Sequence, residues 1–310
     1  MMDFRQIKTF LTVVDTGNIT RAADILHIVQ PAVSRQIKLL EEDLGTNLFE
    51  RQRHGMVLTE NGKLLVNYAR RAVLELERAR AAITGAQQGI GGLVTLGLLP
   101  STIDTLSGPL LTALARDYPG IQLRLAMGYA GTLLKWLESG EIDAALLYGA
   151  ERSPEIQYVP LIEEPLWVVW SPHLQIKASK AFALKDLTKY PVILPSTPHG
   201  IRSLVDHACA KAKVELKIAA EANALSVQKS LALNGHGLTI LPPIAVNDEL
   251  KSGQLQGAPL SSPVITRTIV LALPTNRPTA EHVRCTVDTL TNCAQMAVED
   301  GAWLEGKWIA

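Results

Sequence analysis

At 310 residues and 47% hydrophobic content, the chain is long enough for about two domains and can fill more than one core. Thirty Lys and Arg balance thirty Asp and Glu, which excludes a uniformly basic or acidic surface, so any binding face must come from local arrangement. The three cysteines, Cys209, Cys285 and Cys293, form no C-x-x-C, lack histidines at ligand spacing and read as buried thiols of a reducing compartment, and no stretch approaches the ~18 apolar residues of a membrane span.

The chain begins Met-Met-Asp-Phe-Arg with no apolar run behind a basic leader, which predicts a soluble, cytoplasmic protein with no membrane partner. Phe4, Ile7, Phe10, Leu11 and Val14 recur at helical spacing and stop at Gly17, where "TGN" turns the chain and Asn18 can cap a second helix. Ile19, Ala22, Ala23, Ile25 and Leu26 give that second helix an apolar face whose small alanines permit close approach. "VQPAVSRQIKLLEE" (29–42) then carries a proline near its start, a position where the missing N–H would be unpaired anyway, so Pro31 starts a third helix.

Two short helices joined by a few residues, the second amphipathic, make a helix-turn-helix, whose second helix would enter a DNA major groove with its N-terminal residues nearest the bases. Gln30, Pro31, Ser34, Arg35 and Lys38 then stand where contacts would be made, although "SRQIK" alone also suits an ordinary solvated flank. The continuation "DLGTNLFERQRHGMVLTENG" ends that helix at Gly45, anchors Leu48 and Phe49, and sets Arg51, Arg53 and His54 on a short turn, as in a basic wing.

From Glu60 one long helix is predicted. Leu65, Ala69, Ala72, Leu76, Ala79, Ile83 and Ala86 form a heptad seam that suits a partner helix in a second copy, or burial in the chain's own core. "GAQQGIGG" (85–92) supplies a glycine-rich hinge.

The remainder alternates short apolar runs with helical patterns: "LVTLGLL" (93–99), "IQLRLAM" (121–127), "IDAALLY" (142–148), "LWVVWS" (166–171), "PVILPS" (191–196), "GLTILP" (237–242) and "TIVLAL" (268–273). This predicts α/β units with parallel sheets, arranged as two lobes with a cleft between them. "LLPSTIDTL" and "YAGTLLKWL" put Ser101, Thr102 and Thr132 at helix starts after strands, where free N–H groups and the helix dipole favour an anion such as a carboxylate, unless these hydroxyls only cap their helices. "PSTPHGIRSL" offers Ser196, Thr197, His199 and Arg202 from the other lobe, with His199 either a ligand contact or a solvated loop residue. Tyr129 and Tyr148 line the same space or merely pack.

The segment "ITRAADILHIVQPAVSRQIKLLEEDLGTNLFERQRHGMVLTENG", with its Ala-Ala, Gln-Pro-Ala-Val-Ser, Leu-Glu, Leu-Phe-Glu-Arg and Leu-Thr-x-x-Gly, resembles the N-terminal signature of LysR-type transcriptional regulators. The resemblance extends over essentially the whole chain. It implies an N-terminal all-α winged helix-turn-helix plus linker helix, and a C-terminal α/β two-lobed domain similar to periplasmic binding proteins. The expected boundaries are 1–59 for DNA binding, 60–89 for the linker and dimerisation helix and 90–310 for effector binding, with lobe I at about 92–165 and 266–310 and lobe II at about 166–265.

The DNA-contacting set then comprises Thr20, Gln30, Pro31, Ser34, Arg35, Lys38, Arg51 and Arg53, with Ser34 and Arg35 on base edges and Arg53 reaching the minor groove or backbone. Implied partners are double-stranded DNA, a small-molecule effector, a second copy through the linker helix, a homotetramer and RNA polymerase; no cofactor and no metal are expected. "GYAGTLLKWLESGEIDAALLYG" and the tryptophan-containing tail resemble the nitrogen assimilation control subgroup, in which a regulator acting without a small molecule is the alternative. Two departures bear on the family pattern: Val29 stands where many relatives have a capping Ser or Thr, and the first sixty residues hold seven Lys/Arg against eight Asp/Glu.

Other classes fit less well. No G-x-S-x-G elbow appears, "GHGLTI" lacks the third glycine of a dinucleotide fingerprint, and no histidine pair has metal spacing, so an enzyme is not expected. A solute-binding protein used in uptake would share the cleft but not the helix-turn-helix. A redox sensor would need two adjacent cysteines in one lobe, whereas Cys285 and Cys293 lie eight residues, or about two turns, apart on one helix.

Overall fold

Asp3 accepts from the Gln6 N–H and Gln6 accepts from the Asp3 N–H, and this reciprocal cap starts α1 (Phe4–Thr16). The structure is a computed structural model and describes residues 2–52, 55–85, 89–149, 153–176 and 181–310. Gly17, left-handed at φ 62°, ends α1, and the Asn18 side chain accepts from the Thr20 and Arg21 N–H groups to start α2 (Ile19–Leu26). After three residues comes α3 (Gln30–Leu44), with Pro31 in its first turn and left-handed Gly45 at its end. Val29 stands at its N-cap without a side-chain hydrogen bond, and Gln30 does not replace the cap, its amide lying 3.3 Å from Ser34 Oγ.

Phe10, Val13, Ala22, Ala23, Val33, Ile37 and Leu40 interlock the three helices, and the Thr9 hydroxyl donates to the Gln36 side chain from α1 to α3. The wing is an antiparallel hairpin of β1 (Phe49–Gln52) and β2 (Gly55–Leu58), so this unit is not all-α as expected. Two four-residue strands carry too little alternation to announce themselves. Arg53 and His54 lie outside the described residues.

The Glu41 carboxylate accepts from the Leu48 and Phe49 N–H groups at 2.7 and 3.2 Å and fixes the approach to this hairpin. Thr59 Oγ1 accepts from the Gly62 N–H and donates to the Asn47 carbonyl at the start of α4 (Glu60–Gly85). A Cβ at Gly62 would stand 2.1 Å from the Leu48 carbonyl oxygen, so only glycine lets α4 pass there. The Leu-Glu and Leu-Thr-x-x-Gly pairs of the sequence thus hold one junction.

The predicted seam of α4 divides. Leu65 and Ala69 pack into the helix-turn-helix core, whereas Ala72, Leu76, Ala79 and Ile83 are exposed, as are Leu64 and Tyr68; Ala86 lies outside the described residues. The first turns of α4 are held by the chain's own core, and farther along Leu74 is buried while Leu76, Ala79 and Ile83 stay uncovered.

The chain divides into two compact units, the first of residues 1–87 with 139–141 and the second of residues 88–138 and 142–310. In the second, β3 (Gly91–Leu98), α5 (Ile103–Asp117), β4 (Gly120–Met127), α6 (Ala130–Ser139), β5 (Ala144–Leu147) and β6 (Ile156–Pro165) build most of a first lobe. The second lobe runs through β7 (Trp167–Trp170), β8 (Phe182–Ala183), β9 (Val192–Leu194), α7 (Gly200–Ala212), β10 (Ile218–Glu221), α8 (Leu225–Leu233), β11 (Leu238–Leu241), α9 (Asn247–Lys251) and β12 (Gln256–Ser261). The chain then returns to the first lobe with β13 (Thr266–Pro274), α10 (Glu281–Glu299) and β14 (Lys307–Trp308).

The two six-stranded sheets have orders β14-β6-β13-β5-β3-β4 and β10-β9-β11-β7-β12-β8. Both are mixed, not parallel as expected: β5–β13, β13–β6, β6–β14, β11–β7 and β7–β12 pair antiparallel. β6, "IQYVPLIEEP", escaped the sequence reading because two prolines and two glutamates interrupt its apolar run. The chain crosses between lobes twice, and the crossings run side by side, with Leu166 donating its N–H to the Ile265 carbonyl at 2.8 Å.

Candidate DNA-reading helix and effector cavity

On α3, Val33, Ile37 and Leu40 are buried while Gln30, Pro31, Arg35 and Lys38 are exposed and Ser34 is half-buried. The 3.6-residue repeat thus turns one polar stripe outward from a helix locked by its opposite face. Arg35 has no hydrogen bond or ion pair among the described residues. Lys38 lies 3.6 Å from Glu42, but both side chains are more than half exposed, so the pair holds Lys38 only weakly. Thr20 is exposed in the first turn of α2, and Arg51 belongs to β1.

In the second unit about 320 Å³ of space, part of it open solvent, lies between the ends of several distant elements. Leu99, Pro100, Ile201, Leu225, Leu241 and Pro242 give it apolar walls. Ser101, Tyr129, Tyr148, His199, Gln228 and Arg267 are its polar members. Four of the nine residues expected at an effector site, Ser101, Tyr129, Tyr148 and His199, therefore meet in one cavity.

The other five do not line it. Thr102 is fully buried and donates its hydroxyl to the Leu99 carbonyl. Thr132 is exposed, two residues inside α6. Ser196 donates its hydroxyl to Asn223 Oδ1, and Thr197 is exposed. Arg202 is turned away by local partners, Asp206 one turn along α7 at 2.9 Å and Glu221 on β10 at 2.7 Å, and it also donates to the Pro195 carbonyl. Glu221 chiefly holds this guanidinium charged.

Arg267, absent from the sequence reading, organises the cavity's base. Its side chain is 2% and that of Glu164 0% exposed, and they are paired at 2.6 Å. The other Glu164 oxygen accepts from Trp303 Nε1 at 2.8 Å, and Arg267 also donates to Ser101 Oγ at 2.8 Å. The guanidinium carbon stands 4.5 Å from the centre of the Tyr148 ring, within cation–π range. Burial pushes the Tyr148 hydroxyl pKa up, opposed by Arg267. The only sequence signals for this group were charges set beside apolar strands, Glu164 in "LIEEPLWVV" and Arg267 in "VITRTIVLAL", separated by 103 residues.

His199 caps α7: its Nδ1 accepts from the Ile201 N–H at 3.2 Å. Burial, helped by the Arg267 charge, lowers its pKa to about 4, so the ring is neutral near pH 7 and carries its proton on Nε2. That Nε2 is buried with no hydrogen-bond partner. Gly200 beside it would place a Cβ 2.5 Å from Tyr148 Cε2, so glycine allows the second lobe to close against the first at the cavity.

Among the described residues no helix is long and apolar enough to cross a membrane. Residues 4–63 match the description "Bacterial regulatory helix-turn-helix protein, lysR family", and residues 87–294 match "LysR substrate binding domain". The HTH-type transcriptional regulator BbuR of Bordetella bronchiseptica is 28% identical over 97% of this chain and 93% of its own. The nitrogen assimilation regulatory protein nac of Klebsiella aerogenes is 30% identical over 87% of this chain and 88% of its own. The crystal structure of CbnR, a LysR family transcriptional regulator, superposes with a TM-score of 0.76 at 24% identity, covering 94% of this chain and 99% of that one, and full-length CbnR complexed with its target DNA superposes at 0.74 with 24% identity, covering 94% and 100%. The relatives are regulators rather than enzymes, and a helix-turn-helix followed by a substrate-binding domain makes this chain a member of the LysR family of DNA-binding transcriptional regulators.

Proposed function

We propose that this regulator reads a specific DNA sequence with the outward stripe of α3 and responds to a small molecule held in the cavity beside Arg267. The single observation that carries the DNA reading is the stripe itself: Arg35 has no partner among the described residues and stands exposed on a helix whose opposite face is fixed. An arginine bidentate to guanine contributes about 1–3 kcal/mol of discrimination. Ser34 and Arg35 meet base edges, Gln30 and Pro31 set the approach of the helix, and Thr20, Lys38 and Arg51 meet phosphates; Arg53 reaches the minor groove or backbone. Residues 1–59 act as the reader, 60–89 pair two copies and 90–310 sense the effector.

Pairing follows from the exposed apolar stripe on the later turns of α4, where Leu76 and Ile83 are 54% and 76% exposed. Burying such residues in a second copy of the helix removes apolar surface from water. Two pairs joined through their sensing domains give a homotetramer in the bacterial cytoplasm, and RNA polymerase is the partner through which a bound tetramer acts. The effector becomes a signal only through its preference for one conformation over another, since equal affinity for both shifts nothing. An effector-independent regulator is the second reading, favoured by the resemblance to the nitrogen assimilation subgroup.

Selection of duplexes from a random pool by the purified chain tests the reading. The expected site is a pseudo-palindrome with half-sites centred about 34 Å, one DNA turn, apart. Retention of all duplexes without sequence preference at low salt overturns it.

A further inference from the structure

His199, Ser101 and Tyr148 line one cavity, and each has hydrogen-bonding capacity of the same kind left over. His199 spends Nδ1 on the Ile201 N–H, which leaves the Nε2 proton without an acceptor. Ser101 receives Arg267 on its oxygen and still holds a hydroxyl proton. The Tyr148 ring lies against the Arg267 guanidinium, and its hydroxyl keeps its proton, which burial makes harder to remove.

The remaining polar side chains are committed. Gln228 donates to the Ala222 carbonyl and accepts from Thr239, and the Tyr129 hydroxyl is held between the Asn223 carbonyl and the Leu225 N–H. Arg267 is neutralised by Glu164 but keeps its positive end toward Ser101 and Tyr148. Beside the Ser101 and Tyr148 hydroxyls, which can donate or accept, the cavity therefore holds one side-chain group that can only donate, His199 Nε2–H, against walls of Leu99, Leu225, Leu241 and Pro242.

Resting on the effector reading above, we infer that the cavity takes a compact molecule with an oxygen-acceptor head, a carboxylate or a ketone, on an apolar body, and that His199 Nε2–H is the donor that selects it. A head that presents only N–H groups leaves His199 Nε2–H unpaired, and a buried unpaired polar group is strongly disfavoured. An ammonium head additionally meets Arg267. Molecules of the same shape with an amine head are thereby rejected.

Calorimetric titration of the full chain with cyclohexanecarboxylate, cyclohexanone and cyclohexylamine tests this, since the three share a body and differ in the head. The carboxylate or the ketone should bind at least about tenfold more tightly than the amine, and the ratio between those two reports how much the Arg267 charge adds. His199→Asn keeps an acceptor at the cap of α7, where Asn is favoured, but removes the Nε2 donor, and should weaken the better acceptor probe at least about tenfold. Equal binding of the amine, unchanged binding by H199N, or no binding of either acceptor probe in the millimolar range overturns the inference. Ser101→Ala, which removes a second donor, should weaken the same probe as well, and an unchanged affinity in both variants also overturns it. Operator occupancy is measured in the same samples: acceptor probes that bind as expected without changing occupancy reject the effector reading and leave the ligand class standing.

Discussion

Arg35 and Arg267 carry the same guanidinium in opposite circumstances. The first is exposed on α3 with no partner among the described residues; the second is buried against Glu164, Ser101 and the Tyr148 ring. A reader of DNA needs charges that stay hydrated until a phosphate or base replaces the water, so its cations stand on the surface. A sensing cavity needs polarity held in place before the ligand arrives, so its cation is fixed by a buried carboxylate and its hydrogen bonds are distributed among neighbours. The first arrangement is fixed by one helix, the second by elements from the whole C-terminal unit.

The largest effect should come from breaking the buried arrangement. Glu164→Ala strands the Arg267 charge and leaves Trp303 Nε1 without its acceptor, and should lower stability by about 3–5 kcal/mol in thermal or denaturant unfolding. A loss below about 1 kcal/mol would mean that the guanidinium finds water or another partner. Smaller, and confined to the reading unit, is Gly62→Ala: the added Cβ must displace the Leu48 carbonyl, with a cost of about 1–3 kcal/mol and a parallel loss of DNA affinity. Wild-type melting and footprinting in that variant would show that the junction of α4 and the wing yields freely.

Arg35→Ala sharpens the contrast from the other side. It should leave stability unchanged, because no described residue is hydrogen-bonded or ion-paired to that side chain, while removing about 1–3 kcal/mol of discrimination at one base pair. Lys38→Ala should instead weaken all duplexes alike and lower the salt slope by about one ion. Titrations over a salt series separate the two, and identical behaviour of both variants removes the assignment of Arg35 to a base.

The last effect is a pH dependence. His199 titrates at about 4 in the folded chain and near 6.5 when exposed, so as the pH falls the unfolded chain takes up this proton first. Stability linked to His199 is fully present above about pH 6.5, declines as the pH falls from there, and levels off below about 4. In a comparison of melting temperatures against pH, H199N should lack this part of the acid branch; an unchanged branch places the titration elsewhere.

The two regions also differ in how much could be read from the chain. Gly17, Asn18, Pro31 and Gly45 punctuate helices through interactions with residues two to five positions away, and each behaves as its type dictates. The polar stripe of α3 follows from the period of one helix. By contrast Arg202 has the right chemistry for a ligand contact, yet Asp206 and Glu221 hold it. Arg267 reaches the cavity only because β13 returns to the first lobe after the whole second lobe has been built. Likewise the seam of α4 is regular in sequence, and only the packed helix-turn-helix decides that Leu65 and Ala69 turn inward while Leu76 and Ile83 remain uncovered.

By itself the sequence determined the order of the N-terminal helices and half of the strands, the helix-turn-helix and its outward residues, and the presence of two lobes. These are consequences of periodicity, caps and backbone preference, all of which act within a few residues. The tertiary structure alone decided the antiparallel pairings, the buried Arg267–Glu164–Trp303 connection and which hydroxyls and ring nitrogens share a cavity. Those depend on contacts between residues from about fifty to more than a hundred and fifty positions apart, where burial fixes which partner a charged or polar group can reach.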